Sequence, residues 1–236
     1  MDRKVLLVIV IVLILFGFGG IYFHNRNNSD AIKFKNEYEE LNGVVNDSGK
    51  TIRSISIPSD NPFIYKDAQD IVDMINNEDT FLVYFGFAKC PWCRSVLPNL
   101  IKALKDKEID TIYYVDVLDI RDTKEIDDDG NIKTTKEGTK AYMKLVELLD
   151  SVLSDYSLTD KNGNKVSAEE KRIYAPNVVA IVDGKPTKLV EGISSKQTDA
   201  YMKLTKEMNE ESYKDFECAI NCLEEDKKIC TNDKKC

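Results

Sequence analysis

Two cysteines two residues apart, Cys90-Pro91-Trp92-Cys93, stand directly after the apolar run Phe81-Leu82-Val83-Tyr84-Phe85-Gly86-Phe87. A strand followed by C-x-x-C and an amphipathic segment places both thiols in the first turn of a helix. There the unpaired backbone N–H groups and the positive end of the helix dipole favour a thiolate. Lys89 and Arg94 flank the pair and add cationic charge of the same effect. Pro91 fits the first helical turn, where its missing N–H costs nothing. The chemistry open to the pair is thiol–disulfide exchange. Cys90, at the exposed helix start, is the nucleophile, and Cys93, one turn further in, resolves the mixed disulfide. The same spacing also suits an inert disulfide or half of a zinc site. Zinc would need two more ligands, but the sole histidine, His24, lies beside the N-terminal apolar run and the other cysteines are far off in sequence.

These thiols must be positioned by strands and helices, and the pattern supplies them. Lys66 to Asn77 has Ala68, Ile71, Val72 and Ile75 at helical spacing and leads into the strand Phe81–Phe87. After the C-x-x-C, Val96, Leu97, Leu100, Ile101 and Leu104 form the buried face of a long helix, with Pro98 inside it as an expected kink. Ile109 to Val117 reads as the next strand, parallel to the first. Further on, Tyr174-Ala175-Pro176 opens a strand from Asn177 to Val182, an Asp183-Gly184 turn, and a return strand to Gly192. Asp-Gly between two apolar runs is the strongest short hairpin signal.

With both motifs in this order, the chain resembles the thioredoxin superfamily over residues 60–210. The resemblance implies an α/β, thioredoxin-like fold: a central mixed sheet flanked by helices, with a cis-proline loop closing the site. It implies that Pro176 is that proline, part of the catalytic centre with Cys90 and Cys93, and that Ala175 pairs by backbone with a bound peptide beside the nucleophilic sulfur. Trp92 packs at the rim of the site or contacts substrate. Lys89 and Pro91 tune the redox behaviour, and the Pro-Trp pair resembles the proline–aromatic pair of glutaredoxins, implying a potential of about −200 to −230 mV. Two departures stand out: Lys89, not Trp, precedes Cys90, and the strand position of the family's buried acid falls on Tyr84. Asp116, at the end of the next strand, is either a substitute proton acceptor or a solvated loop residue.

From Cys93 to Pro176 is 83 residues, more than one helix and one strand need. An insertion over 121–172 is therefore expected, with a helix from Thr135 to Tyr156 whose buried face is Tyr142, Leu145, Val146, Leu149, Val152 and Leu153. Two turn-rich pieces flank it, Asp127 to Asn131 and Asp160 to Asn164, better read as hairpin turns than as calcium loops because the later Glu ligand is missing. The insertion is expected to pack beside the active-site groove and shape substrate choice. A helix from Gln197 to about Met208 is expected to complete the fold. Residues 211–236 form a charged tail with Cys218, Cys222, Cys230 and Cys236. Structural disulfides are the leading reading, with Cys222–Cys230 nested inside Cys218–Cys236; a dithiol relaying electrons and a metal site are the alternatives.

At the other end, Val5 to Phe23 is an apolar run of 19 residues, roughly 29 Å as a helix and close to a bilayer core. Its continuation through Ile21, Tyr22 and Phe23 favours an uncleaved transmembrane anchor over a cleaved signal. Residues 1–4 are then a short cytoplasmic tail and 24–59 a linker and N-terminal extension, with a helix over Ala31–Leu41 and a strand near Ile52, Ile55 and Ile57. The outer domain is placed outside the cytoplasm, where disulfides persist. The net charge of −8, without a basic stripe, argues against nucleic acid. No cofactor or metal is expected. Two function classes follow: a membrane-anchored thiol–disulfide oxidoreductase acting on cysteine-containing secreted or surface proteins and reset by a redox partner, or a non-catalytic binding module assisting peptide export. The anchor, the C-P-x-C pair and the extended outer domain also resemble the bacteriocin-transport accessory branch of the superfamily, which is thought to handle disulfides of exported peptides.

Overall fold

A computed structural model of the chain describes residues 29–223. The expected tail 1–4, the anchor 5–23, and Cys230 and Cys236 lie outside them. Among the described residues no helix is long and apolar enough to cross a membrane.

The centre is a mixed five-stranded sheet. Strand β2 (Phe81–Gly86) is buried along its whole length, as its unbroken apolar sequence requires. It pairs parallel with β3 (Ile112–Asp116), which pairs parallel with β1 (Phe63–Tyr65). On its other side β2 pairs antiparallel with β8 (Asn177–Val182), and β8 with β9 (Lys185–Val190), giving the order β1-β3-β2-β8-β9. Asp183 and Gly184 both have positive φ, 49° and 69°, so the β8–β9 connection is the tight two-residue turn that Asp-Gly announces. Pro186 is accommodated because β9 is an edge strand.

Alternation along β2 divides the core into two layers. Phe81, Val83 and Phe85 face α2 (Ala68–Asn76) and α4 (Lys140–Leu148). Leu82 and Tyr84 face α1 (29–39), α3 (Pro91–Asp106) and α5 (Lys206–Asn221). In α3 the expected apolar positions are buried, while Pro98 is exposed, so its ring faces solvent.

Several expectations are corrected. The segment over 24–59 is more than a linker: Phe34 and Tyr38 of α1 are fully buried in the core, as are Ile52, Ile55 and Ile57. The last three lie in extended chain without a ladder, apart from one bridge between Val45 and Thr51. The helix expected over 135–156 is limited to α4. Ile132–Lys136 is drawn into strand β5 against β4 (Thr123–Ile126), and the Thr139 hydroxyl caps α4 by accepting the Tyr142 N–H. Beyond Leu149 the chain turns into β6 (Ser154–Thr159), which pairs with β7 (Lys165–Arg172). The face chosen for that helix is nonetheless the buried one: Tyr142, Leu145, Leu149 and Leu153 are in the core. The excess is thus one short helix and two hairpins, and the pieces 127–131 and 160–164 are their turns. In each turn the leading aspartate, Asp127 or Asp160, accepts backbone N–H groups of its own turn. No group of His, Cys, Asp and Glu able to hold a metal occurs among the described residues.

The helix expected from Gln197 to Met208 is absent. Gln197 is buried, with its amide N–H donating to Ser95 Oγ at 3.1 Å, and Asp199 accepts the Tyr201 N–H, which holds the segment in turns. The Thr205 hydroxyl accepts the Met208 N–H and starts α5, which runs unbroken past residue 210 to Asn221.

Candidate active site

The end of β2 and the start of α3 set the two sulfurs. Cys90 is the N-cap of α3, in extended conformation, with Pro91 in the first turn. The Cys93 N–H donates to Cys90 Sγ at 3.1 Å. The cap that Ser or Asp supplies to other helices is here supplied by sulfur, so a free backbone donor is aimed at the nucleophile. Across the site, the Ala175–Pro176 peptide is cis, and the Cys90 thiol donates to the Ala175 carbonyl at 3.3 Å. Cys90, Cys93, Ala175 and Pro176 are thus brought together from positions 85 residues apart. Both cysteines carry free thiols. Trp92 is half-buried against the core beside them, and its carbonyl accepts the Ser95 hydroxyl proton. Lys89 is exposed and Pro91 half-buried.

The two thiols differ in acidity. The Cys93 side chain, hydrogen-bonded to Cys90, lowers the Cys90 thiol from its ordinary value; the N–H groups of Cys93 and Trp92 and the charge of Arg121 add to this, against the opposing cost of burial. Cys93 is pushed well above the ordinary range, first by burial and then by Cys90 itself. Cys90 is thus the more acidic sulfur of the two and Cys93 the less acidic. The expectation that Cys90 is exposed is corrected: it is 3 % accessible, because the Ala175–Pro176 loop lies over it.

Three residues take roles that the sequence did not assign. Arg94 is fully buried and donates to the carbonyls of Arg53, Tyr38 and Ala88 at 2.8, 2.8 and 3.1 Å and to Asn42 Oδ1 at 2.6 Å. It clamps the N-terminal extension to the loop before Cys90 and is not the thiolate's cation. That part falls to Arg121, whose guanidinium lies 4.9 Å from the Phe87 ring centre. Arg94 stands one turn before Leu97 on the buried helix face and could have been suspected; Arg121 gives no sequence signal. Tyr84 is fully buried in the same core cluster as Cys93, with its hydroxyl 3.4 Å from that of Tyr38. Asp116 is half-buried at the end of β3, where it accepts the Leu118 N–H, and burial raises its carboxyl. Its charge acts on Glu37, Tyr65 and Tyr114.

The β6–β7 hairpin meets the chain just before the cis proline. Tyr174, next to Ala175, accepts the Ser157 N–H and donates to the Asp155 carbonyl of β6. A buried ion pair, Arg172 to Asp122 at 3.2 Å, joins the two ends of the 121–172 segment. Cys218 and Cys222 are each engaged in a disulfide, as the structural reading of the tail expected, and no bond joins them to each other among the described residues. They sit on α5, which runs alongside α3 in the same direction: Asn99 meets Asn209 near one end, and Lys107 meets Glu217 near the other. Sixteen residues of α3, or roughly 24 Å, therefore separate them from Cys90, which excludes direct exchange with it in this arrangement. No protein-family model matches the chain, and neither does any curated protein.

Proposed function

We propose that this chain is a membrane-anchored, extracytoplasmic thiol–disulfide oxidoreductase that reduces, forms or isomerises disulfides of exported proteins or peptides. The observation that carries the reading is the acidity split between Cys90 and Cys93 at the start of α3, opposite a cis proline. An inert disulfide has no need of one stabilised thiolate and one buried thiol. The strand order β1-β3-β2-β8-β9, with helices on both faces, supports a thioredoxin-like fold in which the hairpins β4–β5 and β6–β7 are additions.

The steps follow from the geometry. The Cys90 thiolate attacks one sulfur of a substrate disulfide; the Cys90–substrate bond forms, and the other sulfur leaves with the electron pair and takes a proton. Cys93 then attacks Cys90 Sγ, the mixed disulfide breaks, and the second substrate sulfur leaves as a thiol. Run backwards, the steps oxidise the partner. In this reading Ala175, half-exposed beside Cys90, pairs with substrate backbone, and the β6–β7 hairpin bonded to Tyr174 borders the path of approach. Residues 5–23 supply the anchor, and a second redox protein resets the dithiol. Stabilising the Cys90 thiolate favours the reduced pair, which moves the potential toward disulfide formation and isomerisation.

The test is equilibration of the protein against glutathione buffers, read by the fluorescence of Trp92, the sole tryptophan. A reversible two-electron transition at about −200 to −230 mV, lost in Cys90→Ser, is the expected result. A pair that does not cycle overturns the reading and leaves the binding module.

A further inference from the structure

Behind the dithiol, a chain of hydrogen bonds runs from one buried amide to the nucleophilic sulfur. Gln197 is 7 % accessible, and its side-chain Nε2 donates to Ser95 Oγ at 3.1 Å and to the Asp199 carbonyl at 3.4 Å. Ser95, buried on α3, donates its hydroxyl proton to the Trp92 carbonyl at 2.8 Å. That carbonyl belongs to the same peptide group as the Cys93 N–H, which donates to Cys90 Sγ at 3.1 Å. The turn that carries Gln197 is itself fixed to α5, where the Ser194 hydroxyl and the Ser195 N–H both donate to the Glu211 carboxylate.

Each link can run in only one direction. The Asp199 carbonyl has no proton to give, so the amide nitrogen faces it and Ser95, while Gln197 Oε1 has no hydrogen-bond partner among the described residues. The serine oxygen accepts from that nitrogen, and its single proton goes to the Trp92 carbonyl, which can only accept. Every donor in the chain therefore points toward Cys90. Hydrogen bonds in series polarise one another, and in a dry interior the effect is larger; a carbonyl that accepts makes the N–H of its own peptide a stronger donor. Such a donor gains most when the sulfur it meets is charged.

Resting on the oxidoreductase reading, we propose that Ser95 and Gln197 are positioning residues of the exchange reaction, holding and polarising the Trp92–Cys93 peptide so that its N–H is aimed at the Cys90 thiolate. Neither touches a reacting atom. Their effect reaches Cys90 in series, with Gln197 acting only through Ser95. The titratable and charged groups that bear on Cys90 are Cys93 on the same helix, Tyr84 of β2 and Arg121 beyond β3. Ser95 and Gln197 are uncharged, so replacing them alters the hydrogen bonds and leaves that set of charges in place. Because the thiolate is the attacking species, the chain sets how much of Cys90 is ready to react near neutral pH.

The test is the pH profile of Cys90 alkylation by iodoacetamide in the reduced full-length protein, read by tandem mass spectrometry, which tells Cys90 from Cys93. Ser95→Ala is expected to move the profile to higher pH. About one pH unit below the wild-type midpoint its rate should fall about threefold, while the rate at the alkaline plateau stays within about twofold, the scale of a polarised hydrogen bond to a charged group. Gln197→Leu, close in size and without a donor, should move the profile the same way by about twofold, and it carries the test if the Ser95→Ala protein does not fold. In the Ser95→Ala/Gln197→Leu protein the second change should add nothing to the first, as a series requires. An unmoved profile in a folded single variant, rates lowered alike at every pH, or two effects that multiply in the double variant overturns the proposal, because lost packing alone changes access or stability and not the midpoint. A wild-type protein that does not cycle in glutathione buffers refutes the exchange reading itself, whereas one that cycles while its variants keep the wild-type profile refutes only the roles of Ser95 and Gln197.

Discussion

Replacing Arg94 by methionine separates two roles for a cation next to a reactive cysteine. The side chain has no accessible surface, and its four acceptors are three main-chain carbonyls and an amide oxygen, with no carboxylate among them. On its removal Asn42 Oδ1 keeps the Ile55 N–H and the Tyr38 carbonyl keeps the Leu41 N–H. The loss therefore falls on the Arg53 and Ala88 carbonyls. At about 1–3 kcal/mol for each buried group left without a partner, plus imperfect packing, the cost is about 3–5 kcal/mol. That is a large share of the stability of one domain, and it corresponds to a fall of about 10 °C in thermal midpoint. Urea unfolding measures it directly. Arg94→Lys should recover less than half, since one ammonium does not span the fork of acceptors. The Cys90 alkylation rate near neutral pH should change by less than about twofold in either variant that remains folded, because Arg94 is committed to carbonyls. A loss below about 1 kcal/mol, or a tenfold drop in Cys90 reactivity at unchanged stability, would refute the clamp and restore Arg94 as the thiolate's cation.

Other perturbations test neighbouring parts. Cys93→Ala removes the first cause of the raised Cys90 acidity; its pH profile of Cys90 alkylation should move to higher pH, whereas Cys93→Ser, which keeps a donor, should move less. Glu191 is raised by burial and by facing Asp215. The stability its protonated form contributes is full below the ordinary carboxyl range and is lost as pH rises through the raised value. Glu191→Gln should therefore lift the thermal midpoint near pH 7, with the gain vanishing near pH 4; a gain equal at both would discard the titration. Asp122→Ala leaves Arg172 buried without its carboxylate and should cost about 3–5 kcal/mol, read by urea unfolding, while Cys90 alkylation persists.

What could be read from the chain is what is local along it. The C-x-x-C, the Asp183-Gly184 turn and the apolar faces of α2 and α3 each lie within one or two elements, and each falls where its pattern places it. The hairpins β4–β5 and β6–β7 gave only their turns, because their strands are charged and mostly exposed, and none carries more than two apolar residues in alternation. The helix at 135–156 was overextended for the converse reason. The apolar period continues to Leu153, yet its residues after Leu149 reach the core from a turn. The start of α5 was misplaced because a buried hydrogen bond from Gln197 to Ser95, 102 residues apart, competes with local helix formation.

The residues that sequence reasoning missed share one property: their partners come from elsewhere in the chain. Arg94 takes its meaning from carbonyls on α1 and on the chain near residue 53, and Tyr84 from a hydroxyl on α1. Both depend on α1, which the sequence pattern puts ahead of the motif-bearing domain. That helix supplies Phe34 and Tyr38 to the ring cluster packed with Phe63, Tyr84 and Tyr114. A thiolate at a helix N-terminus needs only local donors, and so it is legible in C-P-W-C. A fully buried Cys93 needs a closed core around it, which only the assembled sheet, α3 and α1 provide. Truncating the chain before residue 43 should accordingly spare the C-P-W-C motif itself yet strip Phe34 and Tyr38 from the core and two acceptors from Arg94, so that the urea-unfolding midpoint falls sharply; an unchanged midpoint would refute the part given to α1.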